Sequence, residues 1–549
     1  MPSARQIANK AWRWLLLAGL AAFVLLPILS LFAQVRTTDL EEIAASTGLA
    51  KVMHVTLISA LGGSLISLFL GVIFARQFGI YQWRGKRWQR LMLLIPYLVP
   101  NFILASAYVT SWNPATGLLN PVTRFPFGLY GVWGMTFLFG VTHVPVAFLL
   151  LEDKLKRMDM SLREAARLSG ARSFAILWRI DLPLLRPTLL SALGLCFALN
   201  LSAFAIPAWI GAPEKAFPLT YKIYQQIQLG GAEGIPSAAA YSLILFLLTL
   251  PPLALNAWAQ RDSKKYALVS GKAARVSDLV QKPGKFAAFQ GFFWISQLFI
   301  WIGPLFALLA STLVKPGCLQ SSGLACFEEV SLRSYHYVLF ELAETRVAFY
   351  NSLVYGTLAA ACILAICIAA LFLFSRLRGA SRAVEWVFGI PVATPGAIIA
   401  LGLIVVYSGQ YGINLYNTPW IVVVALILKH LNLAYQPLRT GMANISQSLF
   451  EAAELSGARG LQVWSRVVLP ILRPECVGGF FLVLVPILGE LTMSIFLASP
   501  GYRSIGTVLF DLQDYADQAS AGALSVLLVL MILIVNELTR WLSRGKLGY

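Results

Sequence analysis

The stretch "EAARLSGARSFAILWRIDLPLLRP" begins at Glu164, and a near copy, "EAAELSGARGLQVWSRVVLPILRP", begins at Glu451. The copies lie 287 residues apart, and 16 of the 27 positions that start at Ser161 and Ser448 are identical. We call residues 161–187 the first loop and residues 448–474 the second loop. The apolar segments beside them differ far more between the two copies. This contrast predicts a partner that binds both loops in the same way.

The composition around the loops predicts an all-α integral membrane protein. Of 549 residues, 58% are hydrophobic and 12% are charged, and the mean hydropathy is +0.72. Many apolar runs reach about 20 residues, the length of a helical span, whereas a barrel strand needs only about 10. About twelve spans are expected near residues 14–34, 54–75, 91–111, 130–151, 188–211, 236–258, 290–314, 350–374, 385–407, 419–437, 475–497 and 519–540.

The net charge of +18 predicts a membrane topology and argues against a nucleic-acid partner. Lys and Arg cluster before the first span, after the second, after the fourth and in the segment 259–289, while the alternate loops are poorer in both. Cytoplasmic loops carry such an excess of positive charge. Both termini are therefore expected in the cytoplasm.

The landmarks of the chain recur in the same order, which predicts two tandem halves. "IPYLVP" at residues 95–100 matches "IPVATP" at residues 390–395, and His143 and His430 each lie 21 residues before the glutamate of their loop. The first half is expected at 1–258, a basic cytoplasmic linker at 259–289 and the second half at 290–549. Each half has six helices and both begin on the same side, so the repeats are parallel.

Each loop is expected to form a short helix, a turn and a second short helix. Ser161 and Ser448 each stand three residues before a glutamate, the pattern of a capping box that starts a helix. Gly170 and Gly457 fall where the helix ends, a position that favours a positive φ and hence glycine. The proline of the later Leu-Pro pair is expected to stop the second helix.

The pattern E-A-A, a glycine six residues after the glutamate and then L-P resembles the EAA loop of permeases in binding-protein-dependent (type I) ABC importers. The resemblance covers essentially the whole chain, twice. It implies two six-helix permease repeats, a periplasmic substrate-binding protein and two copies of a cytoplasmic ABC ATPase, each holding one loop as a coupling helix. The residues implied to face the ATPase copies are Glu164, Ala165, Ala166 and Gly170, and Glu451, Ala452, Ala453 and Gly457.

The fused halves are most similar to the ferric-iron permeases, with the thiamine permeases second. "SLRSYHYVLF" from Ser331 and "LGELTMSIFL" from Leu488 carry this similarity. The first half departs from the pattern, because Ala203 aligns with Glu490. The resemblance implies ferric iron as the substrate, with thiamine, polyamine and phosphonate as alternatives.

Polar groups within the fifth span of each half are candidates for the translocation path. An ionisable side chain inside a span is costly and often functional, so Glu490 is the strongest candidate. A role in hydrogen bonds that only hold the helices together is the alternative for each of them, and a packing role is favoured for His143 and His430. The milder candidates are Asn200, Ser202, Thr492 and Ser494.

Several kinds of chemistry lack a motif in this sequence. "GIYQWRGKR" has a gap that is too long for a phosphate-binding P-loop and no Ser or Thr after Lys86. ATP and its Mg²⁺ are therefore expected on the partner ATPase, and this chain is expected to bind no cofactor and to have no catalytic residue. Four scattered histidines predict no metal site. Cys318 and Cys326 share one predicted outer loop, either as a disulfide or as two free thiols.

An ion-coupled secondary transporter is the alternative from a different functional class. It would also have twelve helices in duplicated halves. Such a protein is expected to have more carboxylates within the membrane, broken helices in matching positions and no EAA loops.

Overall fold

The computed structural model describes residues 4–45, 47–158, 161–231, 233–263, 283–314, 330–375, 378–409, 411–458, 460–514 and 517–542. These residues form helices and connecting turns, without a β-strand among them. The all-α prediction is confirmed. The chain divides into two compact units: the first-repeat unit, Thr37–Leu332, and the second-repeat unit, Met1–Arg36 with Arg333–Tyr549.

The first-repeat unit contains ten of the helices that we number along the chain. Its seventh helix in chain order begins in the first loop and continues into the fifth span. The helices are α2 (Thr37–Ala45), α3 (Thr47–Ile80), α4 (Lys86–Leu98), α5 (Asn101–Trp112), α6 (Gly131–Arg157), α7 (Ser161–Leu168), α8 (Ser173–Ser202), α9 (Leu219–Gly230), α10 (Ile235–Ser263) and α11 (Gly284–Ser311). In this numbering α1 belongs to the other unit.

The second-repeat unit begins with the first helix of the chain, and its later helices follow the same order as those of the first-repeat unit. The second loop lies between the helices that correspond to α6 and α8. The helices are α1 (Ala4–Ala33), α12 (Ala343–Phe374), α13 (Arg378–Ala393), α14 (Gly396–Tyr407), α15 (Pro419–Ala443), α16 (Gln447–Leu455), α17 (Leu461–Leu488), α18 (Thr492–Leu497), α19 (Ile505–Asp514) and α20 (Gln518–Leu542).

Among the residues that the structure describes, ten helices are long and apolar enough to cross a membrane, or up to twelve when each of two sharply bent pairs counts as one span. They lie at the positions of the predicted spans. The bent pairs are α4 with α5, at 95°, and α13 with α14, at 104°. The second proline of each P-x-x-x-P pair, Pro100 or Pro395, immediately precedes the second segment. Because proline disfavours a helical conformation at the residue before it, each third span breaks there.

The first helix of each sequence repeat packs on the third span of the other repeat, and it therefore belongs to the other repeat's compact unit. In the second-repeat unit, α1 packs on α13 and α14, where a Cβ on Gly402 would clash with the carbonyl oxygen of Pro27. In the first-repeat unit, α11 packs on α5. There the Tyr108 hydroxyl donates to the carbonyl of Phe299 at 2.7 Å. The packing units and the sequence repeats thus divide the chain differently at these two helices.

Small residues bring α3 close to α6 in the first-repeat unit. A Cβ on Gly63, Gly71 or Gly79 would lie 2.5–2.9 Å from the Cβ of Phe139, Ala147 or Leu155, respectively. Glycines at this spacing share one helix face and permit the close helix packing that is typical of membrane bundles. The close contact fixes the end of α3 beside the first loop.

Candidate functional site

Both loops turn at their glycine in the same way. The φ angle is 80° at Gly170 and 85° at Gly457, which confirms the predicted left-handed turn. The N–H of Ala171 donates to the carbonyl of Ala166 at 2.9 Å, and the corresponding bond in the second loop is 3.0 Å long. This pattern is a Schellman motif, which satisfies carbonyls at the end of the helix.

The surface between the helix start and the turn is similar in the two loops. Glu164 and Glu451 are exposed, as are the first alanines of each pair, while the second alanines are half-buried. Leu168 is 91% exposed and Leu455, at the same position, is 90% exposed. Each loop thus presents a glutamate, a small residue and a leucine to its surroundings. All eight predicted coupling residues lie on these two helices or at their turns.

The capping-box prediction for the second loop is wrong. The helix α16 begins at Gln447, with Ser446 as its N-cap residue and no side-chain cap hydrogen bond. Ser448 therefore lies within the first turn, where its Oγ is 3.0 Å from the Oγ of Ser446. In the first loop, α7 already includes Ser161. In the second loop the N-cap position is therefore Ser446, two residues before the serine that the sequence pattern indicated.

The prediction that the Leu-Pro pair stops the second helix is also wrong. The helices α8 and α17 continue through Pro183 and Pro470 into the membrane-spanning segments. Just before each proline the helix widens into a π-helical turn, Leu177–Asp181 in α8 and Trp464–Val468 in α17. Proline has no N–H to donate within a helix. In a π-helical turn each hydrogen bond spans five residues and not four, and this shift in the bonding pattern lets the helix accommodate the proline that follows.

A buried ion cluster holds the first loop to the end of α3. Asp181 accepts a bond from Arg163 Nε at 2.7 Å and one from Arg76 Nε at 3.3 Å. The side chains of Asp181 and Arg163 are only 1% and 2% exposed. Arg76 also donates to the carbonyl of Ser173 at 3.0 Å. These bonds join α3, α7 and α8, so the first loop is fixed by charges.

The second loop has apolar side chains in place of this cluster. Phe450 and Val468 stand 287 residues after Arg163 and Asp181, and both are buried. In α12, Phe372 makes an edge-to-face contact with Trp464 of the second loop, with ring centroids 5.4 Å apart. Sequence reasoning missed this difference. Aligning the two loops position by position would have shown an Arg–Asp pair replaced by Phe–Val.

Glu490 lies in a break between α17 and α18. Its carboxylate accepts bonds from the backbone N–H of Met493 at 2.8 Å and of Ser494 at 3.1 Å. The Ser494 hydroxyl donates to the same carboxylate at 3.2 Å. Glu490 therefore caps the first turn of α18, where backbone N–H groups have no partner within the helix.

A lysine that the sequence reasoning missed lies in the same unit. Lys429, in α15, donates to the carbonyl of Pro391 at 3.1 Å and to that of Thr394 at 2.7 Å. Both carbonyls are at the break between α13 and α14. Lys429 stands alone in the apolar run "IVVVALILKHLNLAY", so the cost of burying a charge would have indicated it.

The milder path candidates occupy separate places. In the first-repeat unit, Asn200 Nδ2 donates to the carbonyl of Ala60 and to Ser64 Oγ, each at 3.0 Å. The Ser202 hydroxyl donates to the carbonyl of Ala198 in its own helix. In the second-repeat unit, Thr492 begins α18 and packs against Gly396. Asn200 thus joins two helices.

The two histidines occupy equivalent, satisfied positions. His143 Nδ1 lies 3.2 Å from the carbonyl of Phe139, and His430 Nδ1 lies 3.0 Å from that of Leu426. Each contact is to the carbonyl four residues earlier in the chain. This geometry agrees with a packing role.

The described residues contain no group of three or more His, Cys, Asp and Glu side chains that could hold a metal ion. Four cysteines there are free: Cys196, Cys362, Cys367 and Cys476. Cys318 and Cys326 lie outside the described residues, as does most of the predicted linker.

Broken helices in matching positions do not distinguish the two transporter classes in this protein. The third spans are broken at corresponding places in the two repeats, a feature that was expected of the secondary transporter. The fifth spans are broken too, after Ser202 and after Leu488. The distinction therefore rests on the EAA loops and on the family.

Comparison with known proteins defines the class. The sequence profile of the family "Binding-protein-dependent transport system inner membrane component" matches twice, at residues 67–265 and 361–546. The chain belongs to this family and carries two tandem copies of its domain. It is a multi-pass inner-membrane permease subunit of the ABC transporter type.

Several curated relatives are also fused permeases that match over most of their length. The "Fe(3+)-transport system permease protein FbpB 2" of Haemophilus influenzae is 23% identical over 94% of this chain and 95% of that protein. The "Probable ABC transporter permease protein y4fN" of Sinorhizobium fredii is 24% identical over 84% and 82%. A solved bacterial alginate ABC transporter, in complex with a pentasaccharide-bound periplasmic protein, is 20% identical at a TM-score of 0.39, covering 48% of this chain and 96% of that one.

Proposed function

We propose that this chain takes a substrate, with ferric iron as the first candidate, from a periplasmic binding protein and passes it to the cytoplasm by alternating access. The observation that carries the proposal is the duplication of one exposed helix–turn surface. Gly170 and Gly457 share their turn geometry, and Leu168 and Leu455 share an exposure of at least 90%. A single exposed apolar side chain is common on protein surfaces, but its repetition at the same position of two matching turns supports a partner that contacts both loops.

The partners follow from this duplication. Two equivalent loops fit two copies of a cytoplasmic ABC ATPase, one for each loop, and this arrangement requires both termini in the cytoplasm. In this assembly ATP and Mg²⁺ are bound by the partner ATPase, and the chain itself binds no cofactor and catalyses no hydrolysis. The description of the family as binding-protein-dependent supports a periplasmic binding protein as the third component.

Ferric iron is preferred because relatives that match most of this chain carry ferric transport in their names. Thiamine, polyamine and phosphonate remain alternatives for the same machine. A secondary transporter is disfavoured, because it would have no use for two EAA loops. Iron in this proposal is cargo that passes through the chain and is not a resident cofactor.

Glu490, Thr492 and Ser494 are proposed to line the path in the second-repeat unit, and Asn200 and Ser202 in the first. Glu490 is half-buried, so part of it can contact a passing group. Replacing Glu490 with Gln keeps the acceptor oxygen for one N–H of α18 but removes the charge. A path role predicts reduced uptake with normal assembly, whereas unchanged uptake would assign Glu490 to helix capping alone.

The substrate is tested by deleting the gene and measuring uptake of labelled ferric ion beside labelled thiamine, with the gene restored in each case. Loss of iron uptake alone, rescued by the intact gene and not by a Gly170/Gly457 double variant, would support the proposal. Loss of thiamine uptake alone would make thiamine the substrate and would leave the proposed ABC importer mechanism unchanged. No loss of either would contradict both substrate assignments.

A further inference from the structure

Two helix breaks meet beside a lysine and a glutamate in the second-repeat unit. Lys429 bonds two carbonyls at the α13–α14 break, and Glu490 bonds two N–H groups at the α17–α18 break. The breaks are neighbours, because a Cβ on Gly396 at the start of α14 would lie 3.2 Å from Met493 Cγ and 3.4 Å from Thr492 Cγ2.

The two charged groups complement the backbone ends that they contact. The carbonyls at the end of a helix carry partial negative charge, and the first N–H groups carry partial positive charge. Lys429 and Glu490 thus each neutralise one helix end, and their opposite charges lie at two neighbouring breaks. Both are half-buried.

Neither charged residue is present at the corresponding position of the first repeat. Thr142 and Ala203 stand 287 residues before Lys429 and Glu490. The Thr142 hydroxyl donates to the carbonyl of Leu138 in its own helix, so it does not replace the lysine at the break. A pair that is present in one repeat and wholly absent from the other is expected if each charge needs its partner, since an uncompensated charge inside a span is costly.

We propose that Lys429 is a positioning residue for transport, whose ammonium balances the Glu490 carboxylate and holds the two helix breaks in one arrangement. The proposal rests on the proposed function, because it concerns the step in which substrate passes these breaks. It assigns a role to a residue that no EAA motif indicates. The competing role is a carbonyl cap alone, in which the positive charge itself has no use.

Lys429→Gln separates these roles, because the amide of Gln can still donate to the carbonyls but carries no charge. We expect uptake per assembled transporter to fall at least 5-fold in Lys429→Gln, and to recover at least 3-fold from that level in Lys429→Gln with Glu490→Gln (about 1 and 0.7 kcal/mol at 1.4 kcal/mol per tenfold). The exposed Gln436→Ala in the same helix is the matched control and is expected to transport as wild type does.

The measurements are uptake of labelled ferric ion in gene-deleted cells and ATP hydrolysis by the purified complex with and without its binding protein. Wild-type uptake and wild-type stimulation of hydrolysis in Lys429→Gln would overturn the proposal. Additive losses in the double variant, or loss of assembly in both variants, would overturn it as well. If the wild-type chain carries no iron, the proposed substrate fails, while the stimulation ratio of the same variants still tests Lys429.

Discussion

The first and second loops reach the same backbone by different chemistry. The first is held by a cluster in which Arg163 and Arg76 bond the buried Asp181. The second has Phe450 and Val468 at the two buried positions. Buried ion pairs often contribute no more stability than apolar side chains of similar size. The two loops therefore share their exposed surface and their turn, whereas the buried side chains that hold them in place are charged in one loop and apolar in the other.

The largest effect is expected from removing one member of the ion cluster. Asp181→Ala leaves two arginines without their carboxylate, one of them buried, and breaking such a pair costs about 3–5 kcal/mol. The matched change in the second loop, Val468→Ala, removes only apolar contact and is expected to cost about 1–3 kcal/mol. Thermal unfolding of the purified protein, measured by the accessibility of its native cysteines, checks the order of the two variants. A larger loss in Val468→Ala would contradict the comparison.

Next in size is the cost of adding a side chain at the two turns. Gly170→Ala and Gly457→Ala place a Cβ at a positive φ, which costs about 1–2 kcal/mol. An added Cβ would meet no atom within 4 Å at either position, so the cost is the same in both loops. Gly291→Ala, in a helix and equally uncrowded, is the control and should not destabilise. Unequal losses at the two glycines would show that the turns differ.

A smaller effect is expected when the first loop receives the apolar support of the second. The triple variant Arg76→Phe, Arg163→Phe and Asp181→Val should remain within about 1 kcal/mol of the wild-type free energy of unfolding, because the charges leave together. Uptake in gene-deleted cells should also recover relative to Asp181→Ala. A triple variant as unstable as Asp181→Ala would show that the charges have a role that apolar packing cannot replace.

The smallest effect on stability is expected at the exposed leucines. Leu168→Ser and Leu455→Ser should each change the free energy of unfolding by less than about 0.5 kcal/mol, as is usual for surface positions. Each should nevertheless weaken co-purification of the ATPase, because the variant loses apolar contact with the partner. Normal co-purification in the two variants and in their combination would contradict the role of this surface.

The fold was largely predictable from the sequence, while the supports of the site were not. Apolar length determined the spans, and the repeated prolines marked the break in each third helix. Pro183 and Pro470 misled the prediction because a π-helical turn, which no local pattern signals, carries the helix past them. The Arg76–Asp181 contact spans 105 residues, and Lys429 reaches carbonyls 35 and 38 residues away. Such contacts depend on how distant helices pack together, and a local stretch of sequence does not determine that packing.

The central claim is that each chain offers two separate and equivalent surfaces to its ATPase. Native mass spectrometry of the purified complex counts the ATPase copies directly. We predict two copies for each wild-type chain, one copy when Leu168→Ser or Leu455→Ser is present alone, and none when both are present. A single copy bound to the wild-type chain, or two copies retained by the double variant, would contradict the claim.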